Sequence, residues 1–145
     1  MDISFNFIET ITLNNRSLLK GFIKDIFKKE MKKATSLSFV FCSDDYLLQI
    51  NKTYLQHNYY TDIITFDLSN PSHNEIEGEI YISVETIRSN SQRFNTSIKS
   101  ELHRVIFHGI LHLCGYKDKN TAQQKIMTNK EDFYLTKYAQ YLEKK

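Results

Sequence analysis

HGILHLCGYKDK, residues 108–119, decides how this chain is read. A helix advances about 100° per residue, so residues four apart stand nearly one above the other. His108 and His112 therefore present two imidazoles on one helical face, one turn apart, which suits two ligands of one zinc ion. Gly115 ends that helix, because glycine accepts a left-handed backbone without a side-chain clash. The chain can then turn back and bring a third group beside the histidines. Asp118 is the metal-capable side chain in the right place, since Lys117 and Lys119 are not credible ligands. Two histidines and one aspartate leave a fourth position for water, the open arrangement of catalytic zinc.

Histidine pairs at this spacing are common by chance, and the glycine and the carboxylate are what add weight to a metal site. Cys114 lies two residues past His112, about 200° around the helix, so it points away and reads as a buried structural thiol. Cys42 falls on a strand and reads as core. His103, five residues before His108 and about 140° around from it, is expected on the surface. His73 sits in a loop and carries no argument. Position 109, where zinc proteases of the H-E-x-x-H kind place their general base, is a glycine, which disfavours a peptidase. A residue without a side chain there also lets another segment come close to the metal.

Working outward, the chain alternates between strand and helix patterns. ISFNFIE (3–9) is a β-rich strand. Asn14 and Asn15 offer a cap for a helix whose Leu18, Leu19, Phe22, Ile23, Ile26 and Phe27 recur at helical spacing. LSFVF (37–41) is a second strand, and Ser43 caps a helix carrying Leu47, Leu48, Ile50, Tyr54 and Leu55. TDIITFDL (61–68) and EIEGEIYISV (75–84) are the third and fourth strands, with a polar loop between them. A short helix over 85–94, a strong one over 97–114 and a last one to Leu142 follow, with Thr121 and Gln124 as a capping box for the last. The order β-α-β-α-β-β-α-α-α predicts an α+β fold, a small mixed four-stranded sheet packed with helices, the metal helix near the C-terminal third.

Composition sets the outer bounds. The chain has 145 residues, 41% hydrophobic and 25% charged, with 1 Pro and 4 Gly, so a single domain over 1–145 is expected and no linker is visible. The start, MDISFNFIET, is not a signal peptide, and no apolar stretch approaches the ~20 residues of a membrane helix. Two cysteines without a secretion signal read as reduced thiols of a cytoplasmic protein. A net charge of +2 neither announces nor excludes nucleic acid. Lys24, Lys28, Lys29, Lys32 and Lys33 crowd the end of the first helix, where they read as a solvated face with favourable charge at a helix C-terminus.

The motif stretch resembles the YbeY family of bacterial rRNA-maturation endoribonucleases, whose signature is H-G-x-L-H-L-x-G-Y-D-H. His108, Gly109, Leu111, His112, Leu113, Gly115 and Tyr116 reproduce it. TDIITF (61–66) and GEIYIS (78–83) are similar to two further family strands, and Met127 with Glu131 fits a late M-x-x-x-E. The resemblance implies a zincin-like fold and a Zn2+ ion held by His108, His112 and, in place of the family's usual third histidine, Asp118. Lys117 replaces the aspartate before it. An anionic third ligand should keep the site while making the bound water a weaker acid. The family's Y-R-x-K-D stretch reads YLQHNYYTD here, with Leu55 at the arginine and His57 at the lysine, so His57 and Arg104 become the candidate catalytic cations.

What the resemblance implies is a zinc-dependent endoribonuclease specific for single strands. Its expected role is 16S rRNA 3′-end maturation and ribosome quality control. Its partners would be single-stranded rRNA and the small ribosomal subunit with its proteins, with no membrane and no DNA. Zinc would polarise a phosphate oxygen, activate its water, or both. Tyr59, Tyr60 and Tyr116 could stack bases, or simply pack at a strand edge. Three other readings stay open: a zinc hydrolase of a non-RNA substrate, a ribosome assembly factor with structural or vestigial zinc, and an interaction module without metal.

Overall fold

The computed structural model of the chain describes residues 1–56 and 61–145. Its elements are β1 (Asp2–Phe7), α1 (Arg16–Lys29), β2 (Ala34–Cys42), α2 (Asp44–Tyr54), β3 (Ile63–Asp67), β4 (Ile76–Ser83), α3 (Val84–Arg93), α4 (Ile98–Leu113) and α5 (Thr121–Glu143). Type and order follow the sequence reading: period-two and helical patterns mark most segments, and cap residues mark the start of α5.

The sheet runs β1-β2-β4-β3. β1, β2 and β4 are parallel to one another in sequence of pairing, and β3 joins the edge of β4 antiparallel, which makes the sheet mixed. Successive side chains of a strand point to opposite faces. On one face Leu37, Phe39 and Phe41 of β2 and Ile80 and Ile82 of β4 are fully buried under the main core. α1 contributes Leu19, Phe22, Ile23, Ile26 and Phe27 to that core. Phe22 packs at 5.6 Å from Phe107 of α4 and 4.9 Å from Tyr138 of α5, ring centre to ring centre. The other face carries a smaller cluster of Cys42, Leu47, Ile50 and Ile64, covered by α2. Both cysteines are buried, as their positions suggested.

α4 lies so close to the sheet that a Cβ on Gly109 would stand 2.9 Å from Ile80 Cγ2 and 3.2 Å from Ile63 Cδ1. The glycine thus admits the sheet behind the helix. Burial nearly all round α4 also corrects the expectation for His103, which is only 6% exposed. It stacks on Phe107 and meets the Tyr138 ring edge-on at 4.9 Å. The face turned away from the motif is covered by α5 rather than by water. Burial, with repulsion from Lys99, lowers the His103 pKa to about 4.

Helix ends differ in detail. Ser43 caps α2 as expected, accepting from Tyr46 N at 3.1 Å. Asn15 holds the cap position of α1 in a left-handed conformation without a side-chain cap bond. Asn120, not Thr121, caps α5, accepting from Gln123 N at 2.9 Å. Gln124 instead reaches back to donate to the Asp118 carbonyl at 3.1 Å.

Candidate metal centre

His108 and His112 stand one turn apart on α4, with ring centres 4.6 Å apart and planes at 81°. The helix ends one residue later in a turn that satisfies its last carbonyls. Gly115 N donates to His112 O and Tyr116 N to Leu111 O, both at 3.0 Å, around a left-handed Gly115 with φ 106°. This pair of bonds is the motif that reverses a chain most tightly after a helix, and it needs a glycine or similar residue at the left-handed position.

Asp118 returns to the histidines as a result. Its Oδ2 lies 3.4 Å from His108 Nε2 and 3.5 Å from His112 Nε2. The three ligand atoms all lie within 4.8 Å of one another. Ligand atoms about 2.0–2.1 Å from a tetrahedral ion sit about 3.3–3.4 Å from each other. The two Asp118–histidine separations match that spacing, and the three donors converge closely enough that small side-chain rotations would bring them around one ion. His112 and Asp118 are partly exposed, so the face opposite the protein is open. A depression of about 310 Å³, lined by Ile63, Thr65, Asp67, His112 and Leu113, adjoins it.

The loop carrying Asp118 is held at both ends. Upstream, Tyr116 donates to Glu30 Oε1 at 2.6 Å; Lys130 binds Glu30 Oε2 at 3.2 Å and Tyr134 donates to the same oxygen. Burial opposes the Glu30 charge, but the bonds from Tyr116, Tyr134 and Lys130 outweigh it and hold the carboxyl below its usual range. Downstream, Lys119 N donates to Gln123 Oε1 at 2.9 Å, beside the Asn120 cap.

Glu131 completes the site from α5. Its Oε2 is 2.6 Å from His108 Nδ1, and its Oε1 accepts from Arg104 Nη1 at 2.8 Å. Arg104 Nη2 in turn donates to Asp132 Oδ1 at 2.6 Å. A carboxylate on Nδ1 fixes the tautomer with its proton there, which leaves Nε2 free to bind a metal. Burial works against a charge on His108, but the Glu131 bond and the charges of Glu131, Asp118 and Asp62 raise its pKa. Asp62, next to β3, is raised by burial and by Asp118 and Glu131, against the pull of His108.

The sequence placed His108, His112 and Asp118, and the fold brings all three together. It gave Glu131 no role. The signal was present: Met127, Glu131, Tyr134 and Tyr138 form the buried stripe of α5, and an acid in such a stripe needs a partner. Arg104 is committed to two carboxylates. His57, Tyr59 and Tyr60 lie outside the described residues.

An α+β domain with an open group of two histidines and one carboxylate has the build of a metal-dependent hydrolase. A sequence profile described as Endoribonuclease YbeY matches residues 5–139. Endoribonuclease YbeY of Cytophaga hutchinsonii is 47% identical over 124 residues, 86% of each chain. The protein of the same name from Flavobacterium johnsoniae is 42% identical over 130 residues, 90% of this chain and 92% of that one. The solution structure of TM1509 from Thermotoga maritima superimposes with a TM-score of 0.63 at 28% identity, over 95% of this chain and 89% of that one. The chain belongs to the YbeY endoribonuclease family. Among the described residues no helix is long and apolar enough to cross a membrane.

Proposed function

We propose that residues 1–145 act as one domain, a zinc-dependent endoribonuclease specific for single strands. Its role would be 16S rRNA 3′-end maturation and ribosome quality control in the cytoplasm, in contact with the small ribosomal subunit and its proteins. The observation that carries the reading is the convergence of His108, His112 and Asp118 at ligand spacing in a chain of this family.

A zinc ion held there would supply Lewis acidity toward a phosphate oxygen and would lower the pKa of a water bound to it. His108 Nε2, His112 Nε2 and an Asp118 oxygen would hold the ion, and the carboxylate would temper the acidity of that water. Glu131 holds the His108 proton on Nδ1 and so keeps Nε2 aimed at the ion. Arg104 acts through Glu131, as a positioning residue, and His57 is the candidate cation for the substrate phosphate.

The test is cleavage of single-stranded RNA by wild-type protein, by chelated protein with zinc restored, and by His112→Ala. Loss on chelation and in the variant, with recovery on zinc, supports the reading. Cleavage unchanged by His112→Ala would sink a metal-centred mechanism. Leu55, 39% exposed at the place of the family's arginine, favours a second reading as an assembly factor with structural zinc. That reading predicts that His112→Ala still rescues a deletion strain.

A further inference from the structure

Three depressions adjoin one another on the surface beside the metal centre. The first, about 310 Å³, holds His112, Leu113 and Asp67. A second, about 510 Å³, shares Leu113 and Asp67 with it and extends over Gly115 to Met31, Lys32 and Lys33. A third, about 340 Å³, shares Lys32 and Lys33 with the second and adds Lys24 and Lys28. A continuous trough thus leads from the metal ligands to the end of α1. Glu75 is the one acid lining the third depression, against four lysines.

None of these four lysines forms an ion pair among the described residues. Other lysines of α1 are engaged: Lys20 lies over the Phe5 ring and Lys29 over Phe133. Along the whole trough the acids among the described residues are Asp67 and Glu75, against four lysines without an ion pair, so its lining is positive on balance. Met31, beside Lys32 and Lys33 in the lining of the second depression, is 91% exposed. It occupies the left-handed turn after α1 with φ 60°, its N–H donating to Lys28 O at 3.1 Å. Glycine is the residue that suits such a position. An exposed apolar side chain in the lining of a lysine-rich trough offers a face on which a base can pack.

We propose that this trough is the track of a single-stranded RNA, with the backbone on Lys24, Lys28, Lys32 and Lys33 and a base against Met31. This inference rests on the endoribonuclease reading and extends it to substrate binding. Single strands are held by a charged groove for the backbone together with exposed faces on which bases pack. Each phosphate neutralised on a single strand releases counterions and steepens the salt dependence by about 0.7 per contact. The track explains why the lysine run sits at this helix end, which helix-dipole stabilisation alone does not require of Lys32 and Lys33.

The test uses the full chain, zinc-loaded, with a length series of labelled single-stranded RNA. A variant carrying Lys24→Gln, Lys28→Gln, Lys32→Gln and Lys33→Gln binds long RNA at least about tenfold more weakly, with a shallower salt slope. Its KM rises, its kcat holds, and a dinucleotide that reaches only the metal groove is cleaved as by wild type. Met31→Gly melts no lower than wild type, because glycine suits the turn, yet loses affinity for long RNA. Wild-type cleavage with unchanged affinity and salt slope in both variants overturns the track and leaves the function standing. Loss of ribosomal-protein binding with RNA binding intact makes the patch a protein-docking surface and overturns it too. If wild type neither cleaves nor binds RNA, the endoribonuclease reading falls and takes the track with it.

Discussion

Glu131 of α5 and His108 of α4 meet at 2.6 Å, Oε2 to Nδ1. One of the two histidines that face Asp118 is thus oriented by a buried acid 23 residues further along the chain. The relationship explains why a carboxylate is tolerated in an apolar stripe. It also explains why Arg104 lies where it does, on the other oxygen of the same group.

Glu131→Gln keeps the size of the side chain and removes its charge. The variant should bind zinc about 10–100-fold more weakly, the usual cost of losing the group behind a metal-bound histidine. Arg104→Lys should move affinity in the same direction by less, since it loses the fork that spans Glu131 and Asp132. Competition against a zinc chelator measures both. Unchanged affinity in Glu131→Gln would mean that the histidine holds its orientation by packing alone.

Gly109→Ala sets two effects against each other. Alanine gains about 1 kcal/mol of helix propensity over glycine. Its Cβ would meet the fully buried Ile80 at 2.9 Å, and overpacking costs typically about 1–3 kcal/mol. The contact should win, lowering stability by up to about 2 kcal/mol once the propensity gain is subtracted. A urea titration that finds the variant more stable would show that the sheet can yield.

His103 makes stability depend on pH. Its pKa in the folded chain is lowered to about 4 from 6.5. Above 6.5 neither state binds the proton. As pH falls from about 6.5 to about 4, the unfolded chain takes up a proton that the folded chain refuses, so stability drops. The full loss is about 3 kcal/mol. Urea titrations at neutral and acid pH should show that His103→Phe, which packs in the same slot, loses correspondingly less. Equal losses in both proteins would assign the acid limb to other groups.

Tyr116→Phe removes the donor nearest the Asp118 loop while Lys130 and Tyr134 still bind Glu30. Stability should fall by about 1 kcal/mol, and zinc affinity should fall with it because the loop loses its upstream anchor. Metal titration beside thermal melting checks the pair. A stability loss with unchanged zinc affinity would mean that the Asn120 cap alone sets the loop.

Much of this was legible along the chain. Periodicity marks most elements and a cap signal marks α5, and Gly115 announces the turn that returns Asp118, because a helix stop and a carboxylate three residues later are both local facts. What the sequence hid is what depends on neighbours far along the chain. His103 was expected in water because its angle from His108 is visible, whereas the rings of α5 beside it are not. Arg104 is a candidate catalytic cation in the sequence, and its pairing with Glu131 and Asp132 is hidden there because they reach it only after α5 folds back over α4. The cap of α5 moved by one residue, from Thr121 to Asn120, since both residue types can cap and only geometry chooses.

The central claim is that His108, His112 and Asp118 hold one zinc ion. The most direct measurement is metal content by mass spectrometry of purified protein, wild type beside Asp118→Ala. The account predicts one zinc per wild-type chain, lost or weakened in the variant. Equal zinc in the two proteins would contradict it and place the third ligand elsewhere, and metal-replete wild-type protein without zinc would contradict it outright.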